Sequence, residues 1–89
     1  MTLQTLRRRV DRLDDQLVRL LNRRTTLALS IGRIKQRERR PVYDARREAA
    51  VLARVGRMNR GPLSAAAVRR LFRVILVECR RRERAAKPS

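Results

Sequence analysis

Several polar residues occupy positions where the helical pattern of the sequence calls for apolar ones, and together they could bind a small anion. Arg24 interrupts an apolar seam, and Lys35 follows it by eleven residues, nearly on the same side of the same predicted helix. Glu48 borders the apolar face of a second helix, while Cys79 and Glu83 continue that of a third. Departures from the hydrophobic pattern that converge on one core tend to mark functional sites. Inward-facing cations predict a pocket for a polyanion, most naturally a dicarboxylate.

Two of these positions also have a purely structural explanation. A guanidinium at the position of Arg24 is costly in an apolar seam unless it is paired, and its partner is either a structural carboxylate or a ligand. Glu83 either faces the pocket or pairs with a neighbouring arginine at the end of its helix, where arginines are frequent. The residues alone leave both alternatives open.

The element that carries Arg24 and Lys35 is a predicted first helix over residues 3–40. This range contains one glycine and no proline, and its apolar residues recur in steps of three and four, which indicates a heptad seam. A helix of about 38 residues is about 57 Å long, whereas a compact chain of this size has a radius of gyration of about 12 Å. The seam therefore predicts a second copy of the chain in a symmetric homodimer. The seam comprises Leu3, Leu6, Val10, Leu13, Leu17, Leu20, Leu27, Ile31 and Ile34.

Two shorter helices are predicted to complete an all-α chain of three helices in a single domain, residues 1–89. Pro41 ends the first helix, and Asp44 caps a second helix over 44–59, whose apolar face is Val51, Leu52, Val55 and Met58. Gly61 and Pro62 mark a turn, and Ser64 caps a third helix over 64–85. The face of the third helix comprises Val68, Leu71, Phe72 and Ile75, followed by Cys79 and Glu83.

The composition narrows the function classes. The 89 residues carry a net charge of +17, spread over all segments, and contain no histidine and one cysteine, so a metal site is not expected. A single cysteine allows no intrachain disulfide and favours a reducing cytoplasm, and we expect neither a signal peptide nor a membrane span. Aromatic residues make up 2% of the chain, which argues against a base-stacking platform for single-stranded nucleic acid.

The order of short motifs along the chain resembles that of the all-helical chorismate mutases, the AroQ class. The matching segments are Leu6-Arg7, Leu13-Asp14-x-Gln16-Leu17, Leu20-Leu21-Asn22-Arg23-Arg24, Ile31-Gly32-Arg33-Ile34-Lys35, Arg40-Pro41-Val42-Tyr43-Asp44-x-x-Arg47-Glu48, and Leu71-Phe72-x-x-Ile75 ahead of Glu78-Cys79. Each motif is weak alone, but their order and spacing cover nearly the whole chain. The resemblance implies an intertwined homodimer of three-helix chains with two active sites.

The resemblance also implies roles for the cationic residues. Arg7 matches an arginine that reaches the partner chain's site, and Arg24 matches its counterpart from the same chain; together they would hold substrate carboxylate. Lys35 matches the lysine that contacts the ether oxygen of the breaking bond. Arg47 matches a further arginine near a carboxylate.

For the remaining positions the resemblance implies hydrogen-bonding roles. Glu48 matches the carboxylate that contacts the ring hydroxyl, with Asp44 nearby at the start of the helix. Cys79 stands where many members have serine, and Glu83 where many have glutamine. The residues expected to take part in catalysis are thus Lys35, Arg24 and Glu83, and all eight positions are expected to bind substrate.

The reaction implied is the Claisen rearrangement of chorismate to prephenate. It is pericyclic and requires no nucleophile, metal or cofactor. Catalysis would come from holding the enolpyruvyl arm over the ring and from stabilising negative charge on the ether oxygen.

Three alternatives remain at this stage. The same scaffold could act on an amino-substituted chorismate, or on isochorismate as a pyruvate lyase. A basic helical dimer could instead bind nucleic acid through its phosphates. A weak mutase could also depend on a partner enzyme of the shikimate pathway.

Overall fold

Side-chain caps set the starts of the three helices. In the computed structural model, which describes residues 1–86, Thr2 Oγ1 accepts the Thr5 N–H at 3.1 Å, Asp44 Oδ1 accepts the Arg47 N–H at 3.0 Å, and Ser64 Oγ accepts the Ala67 N–H at 3.0 Å. The helices are α1 (Leu3–Arg37), α2 (Ala45–Met58) and α3 (Ala65–Ala86), and the described residues contain no strand. The all-α prediction is confirmed, and α2 and α3 lie within one residue of their predicted bounds.

The end of α1 differs from the prediction, which placed it at Arg40. The helix ends at Arg37, because Arg39 adopts a left-handed conformation with a φ of 56°. The Arg40 N–H donates to the Lys35 carbonyl at 2.7 Å and the Arg39 N–H donates to the Gln36 carbonyl at 3.1 Å. This pair of bonds is a Schellman motif, which usually has glycine at the left-handed position. The usual sequence signal is therefore absent here.

A small apolar core lies between α2 and α3. It comprises Val51, Val55 and Leu76, with Leu52, Val68 and Phe72 packed against it. Two predicted core positions are wrong: Leu71 is 56% exposed and Met58 is 64% exposed. Phe72 and Cys79 lie on the predicted face of α3, and Leu76 is buried in place of Leu71, so the buried face is turned from the predicted one by only part of a residue step.

The first helix is largely uncovered. Helix α3 packs against both α1 and α2, but α1 contains no buried residue, and its first 21 residues, Leu3–Arg23, are all exposed. The nine apolar residues of the predicted seam are between 45% and 66% exposed. The chain measures 55 × 25 × 14 Å with a radius of gyration of 16.1 Å, well above the value of about 12 Å for a compact chain of this length.

None of the helices in residues 1–86 combines the length and the apolar character that crossing a membrane requires.

Candidate active site

A pocket of about 250 Å³ lies where α1, the start of α2 and α3 meet. Each of the three helices contributes charged or polar side chains to its wall, which otherwise consists of aliphatic residues from all three helices. Seven of the eight predicted site residues line it: Arg24, Lys35, Asp44, Arg47, Glu48, Cys79 and Glu83. The fold thus brings residues from distant parts of the sequence into one cavity.

Arg24 and Cys79 contact each other across α1 and α3. Arg24 Nη1 lies 3.4 Å from Cys79 Sγ, and Thr25 Oγ1 lies 3.6 Å from the same sulfur. The Thr25 hydroxyl donates to the Leu21 carbonyl at 2.8 Å, so the thiol is the donor toward Thr25 and the acceptor from Arg24. Cys79 is buried. A thiol takes up only a weak hydrogen bond from the guanidinium, which leaves most donors of Arg24 available to a ligand.

Lys35 is fixed at the end of α1 by the following turn. Its Nζ donates to the Val42 carbonyl at 2.9 Å and the residue is half-buried. An ammonium has three donors, so two remain to face the pocket. The Schellman motif that ends α1 brings Val42 back over the last helical turn and places this carbonyl within reach.

Glu83 lines the same pocket from α3 and lies against Gly32 of α1. Its Oε2 is buried without a hydrogen-bond partner among the described residues, and Gly32 makes room for it, since a Cβ there would lie 3.3 Å from Glu83 Cγ and Oε2. Burial raises the pKa of Glu83 above its usual range, while Lys35 opposes this and Glu48 adds to it. Burial therefore outweighs the neighbouring positive charges. The alternative that Glu83 pairs with an arginine at the helix end has no ion pair to support it within residues 1–86.

Glu48 has a partner that the sequence did not reveal. Arg80 Nε lies 2.8 Å from Glu48 Oε2, and the guanidinium carbon stands 4.8 Å from the centroid of the Tyr43 ring. The Nε–H of Arg80 does not point at an acceptor, so the contact with Glu48 is an ion pair rather than a well-aligned hydrogen bond. Arg80 lies four residues after Leu76, and the predicted seam missed both. A predicted apolar face that included Leu76 would have placed Arg80 on the same side of α3 and identified it as a candidate pocket residue.

Asp44 and Arg47 lie at the rim. Both are exposed, and the Asp44 carboxylate caps α2 by accepting the Arg47 N–H. Arg54, about one and a half turns beyond Glu48 on α2, is a further pocket residue that was not predicted.

Arg7 does not line the pocket of its own chain. It is exposed in the uncovered half of α1, seventeen residues before Arg24, or about 25 Å along the helix axis. An arginine side chain cannot span that distance. Its predicted role in the site of a partner chain stays a prediction.

The balance of charge in the pocket suits a doubly charged anion. Arginine and lysine contribute five cations to the lining, against three carboxyl groups. Two positive charges remain when all three carboxyls are ionised, and three remain when Glu83 is protonated. A small dicarboxylate could be bound through several charge-assisted hydrogen bonds at once.

Comparison with known proteins points to one family. Residues 6–84 match the family described as Chorismate mutase type II. Among curated proteins, the bifunctional chorismate mutase/prephenate dehydratase of Neisseria gonorrhoeae is 42% identical over 73 residues, 82% of this chain and 20% of that protein. The corresponding protein of Pseudomonas aeruginosa is 38% identical over 86% of this chain and 22% of its own length. The chain thus spans about a fifth of the length of these relatives.

Two solved structures are similar to this chain in fold and in length. The structure of chorismate mutase (Form II) from Thermus thermophilus superposes with a TM-score of 0.92 at 34% identity, covering 97% of this chain and 98% of that one. Form I of the same protein gives a TM-score of 0.84 at 36% identity over 86% of this chain and 96% of that one. The three helices, the pocket and the matched range of residues 6–84 lead to one conclusion: the chain belongs to the chorismate mutase type II family.

Proposed function

We propose that this chain is a chorismate mutase, which rearranges chorismate to prephenate. The main support for the proposal is that Arg24, Lys35 and Glu83 line one pocket, which has more positive than negative side chains. Chorismate is a dicarboxylate with an ether oxygen between its two reacting parts, and this set of groups offers cations for the carboxylates and donors for the oxygen. Membership of the family supports the same reaction.

In the reaction the ether C–O bond breaks while a C–C bond forms between the enolpyruvyl arm and the ring. No atom is gained or lost, so the protein's task is to hold the reactive conformer and to stabilise charge. Positioning of this kind is worth roughly 7–11 kcal/mol in favourable cases. Arg24 and Arg47 are the cations proposed to hold carboxylates, because both line the pocket and neither forms an ion pair within residues 1–86.

Lys35 and Glu83 are the groups proposed to act at the ether oxygen. Both line the same pocket, Lys35 from α1 and Glu83 from α3, and within residues 1–86 the Lys35 ammonium uses one of its three donors, toward the Val42 carbonyl. An ionised Glu83 would repel negative charge on that oxygen, but a protonated Glu83 donates a hydrogen bond to it. The raised pKa of Glu83 favours the protonated form.

A second copy of the chain is proposed to cover the exposed seam of α1. Two such seams, paired antiparallel about a twofold axis, would bury the apolar residues and bring Arg7 of each chain toward the pocket of the other. The uncovered length of α1 supports this arrangement, since a seam whose apolar residues are about half exposed is unfavourable in water.

The test is the loss of chorismate absorbance with purified protein, followed by identification of the product. Chorismate, its amino-substituted analogue and isochorismate are assayed side by side, because the scaffold alone does not separate them. Conversion of chorismate to prephenate with the highest kcat/KM supports the proposal. Release of pyruvate from isochorismate, or preference for the amine, would assign the site to a related reaction.

Nucleic-acid binding rests on charge alone and is not favoured by the family. DNA binding that weakens steeply as the salt concentration rises, in a protein without mutase activity, would support the nucleic-acid alternative instead. Dependence on a partner enzyme and the cytoplasmic location stay predictions.

A further inference from the structure

Arg80 is held in the wall of the pocket by two contacts. Its guanidinium stacks over Tyr43 and pairs with Glu48, and the side chains of Arg80 and Glu48 are only 23% and 18% exposed. The same arginine lines a second cavity of about 320 Å³ on the outer side of α2 and α3. Arg80 therefore stands between the pocket and the outside, and it links α3 to the first turn of α2.

Glu48 is the carboxylate best placed to accept a hydrogen bond from a ligand. Asp44 is exposed and already caps α2, and Glu83 is half-buried with a raised pKa, which Lys35 partly opposes. The ion pair of Glu48 is made through Oε2, which leaves Oε1 for the ligand. If the proposed function holds, the ligand has a single neutral donor, the ring hydroxyl, because its other polar groups are acceptors. This hydroxyl is therefore matched to Glu48.

The ion pair with Arg80 changes the preference of Glu48 between a hydroxyl and an ammonium group of a ligand. A free carboxylate would attract an ammonium group more strongly than a hydroxyl, whereas a carboxylate already paired with a guanidinium gains little from a second cation. Arg47 and Arg54 line the same side of the pocket and would repel an ammonium group further.

We propose that Arg80 is a positioning residue that holds Glu48 and balances its charge. The site then selects a substrate with a ring hydroxyl over the analogue with a ring ammonium group. This proposal rests on the proposed function. Arg80 is not among the eight site residues that the sequence and the family resemblance indicated.

The experiment measures kcat/KM for chorismate and for its amino-substituted analogue in the wild type, Arg80→Gln and Arg80→Lys. We expect the wild type to prefer chorismate, and Arg80→Gln to shift the ratio of the two kcat/KM values toward the amine by about tenfold, the size of one discriminating contact. Arg80→Lys keeps the charge and should largely restore the ratio. Arg73→Gln, an exposed arginine that lines only the outer cavity, is the matched control and should leave the ratio unchanged.

Each outcome decides the matter. An active wild type with an unchanged ratio in a folded Arg80→Gln variant overturns the role of Arg80 and leaves the proposed function intact. A wild type that prefers the amine overturns the proposed role of Arg80 without any variant. This test therefore still applies if circular dichroism shows that Arg80→Gln does not fold. A wild type that converts neither substrate overturns the proposed function and this inference with it.

Discussion

Among single residues, Lys35 and Glu83 are the two proposed to act on the ether oxygen. Within residues 1–86 the Lys35 ammonium uses one of its three donors, and Glu83 is a half-buried carboxyl whose pKa burial raises. Both lie between α1 and α3, where Gly32 lets the carboxyl approach the first helix. The pocket thus combines an ammonium group with a carboxyl group whose ability to donate a hydrogen bond depends on pH.

Replacement of Lys35 by alanine should lower kcat more than it raises KM. Its donors would stabilise charge that develops on the ether oxygen only in the transition state, and removal of one such donor typically costs about 10²–10³-fold in kcat. Steady-state kinetics on chorismate measure both constants. Arg37→Ala, which removes an exposed cation from the last turn of α1, is the control and should have little effect. A rise in KM alone would make Lys35 a substrate anchor instead.

Activity should be highest at acidic pH and fall as the pH rises through the pKa of Glu83. The protonated carboxyl donates to the ether oxygen, and the ionised one repels charge there; because burial raises this pKa, the active form persists to higher pH than for an ordinary glutamate. Glu83→Gln should flatten the profile of kcat/KM against pH and keep or raise activity at neutral pH, since an amide donates at any pH.

The control for Glu83 is Glu78→Gln on the same helix. Glu78 is exposed and pairs with Arg81, so its loss should leave the wild-type profile intact. Circular dichroism at each pH confirms that all forms stay folded. A flat wild-type profile, or a Glu83→Gln variant with the same profile as the wild type, would remove Glu83 from the reaction.

At the scale of elements, the turn between α1 and α2 positions the site. It ends α1 with a Schellman motif, supplies the Val42 carbonyl for Lys35, presents the Tyr43 ring to Arg80, and leads to the cap at Asp44. A seven-residue connection between α1 and α2 thus contributes to both sides of the pocket. Its one unfavourable feature is an arginine in the left-handed region.

Replacement of Arg39 by glycine should therefore stabilise the protein. A non-glycine residue in the left-handed conformation costs about 1–2 kcal/mol, part of which is offset by the greater entropy of glycine in the unfolded chain, so the expected gain is about 1 kcal/mol. Thermal unfolding followed by circular dichroism measures it. Arg37→Gly, two residues earlier and still helical, should lower the stability by about as much. A loss of stability in both variants would argue against the left-handed conformation at Arg39.

For the whole molecule, the main feature is the mismatch between a 35-residue helix and a core of a few residues. The first half of α1 is exposed along its whole length, and the proposed second chain would cover its apolar seam and bring Arg7 to a pocket. This mismatch leads to a prediction about the assembly.

Arg7→Ala and Arg24→Ala should each be nearly inactive, yet an equimolar mixture should regain activity. In a shared-site dimer, one of the two pockets of a mixed dimer would have both arginines intact, so about a quarter of wild-type activity is expected when subunits exchange freely. The measurement is kcat after mixing, followed over time. Arg24→Ala mixed with Arg24→Gln is the control and should stay inactive.

Sedimentation at micromolar concentration should give about twice the chain mass of 10.5 kDa for the wild type and for both variants. Failure of the mixture to recover, with subunit exchange demonstrated by a tagged chain, would contradict the shared site. A folded and fully active monomer would contradict the dimer itself.

The features that depend on local periodicity and on helix capping could be predicted from the sequence alone. The heptad seam of α1, the caps Asp44 and Ser64, and the polar positions Arg24 and Glu48 were all readable, because neighbours three or four residues apart define a helix and its faces. The resemblance to the family added candidate roles that neither periodicity nor capping supplies.

Other features depend on how the helices are rotated and on how closely they approach each other, and these could not be predicted from the sequence. On α3, Leu76 is buried in place of Leu71 while Phe72 and Cys79 keep their predicted places, and this partial turn of the buried face brings Arg80 against Glu48. The direction of the pKa shift of Glu83 likewise required the depth of its burial and its distance from Lys35, since these two effects oppose each other. Only the packed helices supply those distances, because Glu83 and Lys35 lie on different helices, far apart in the chain.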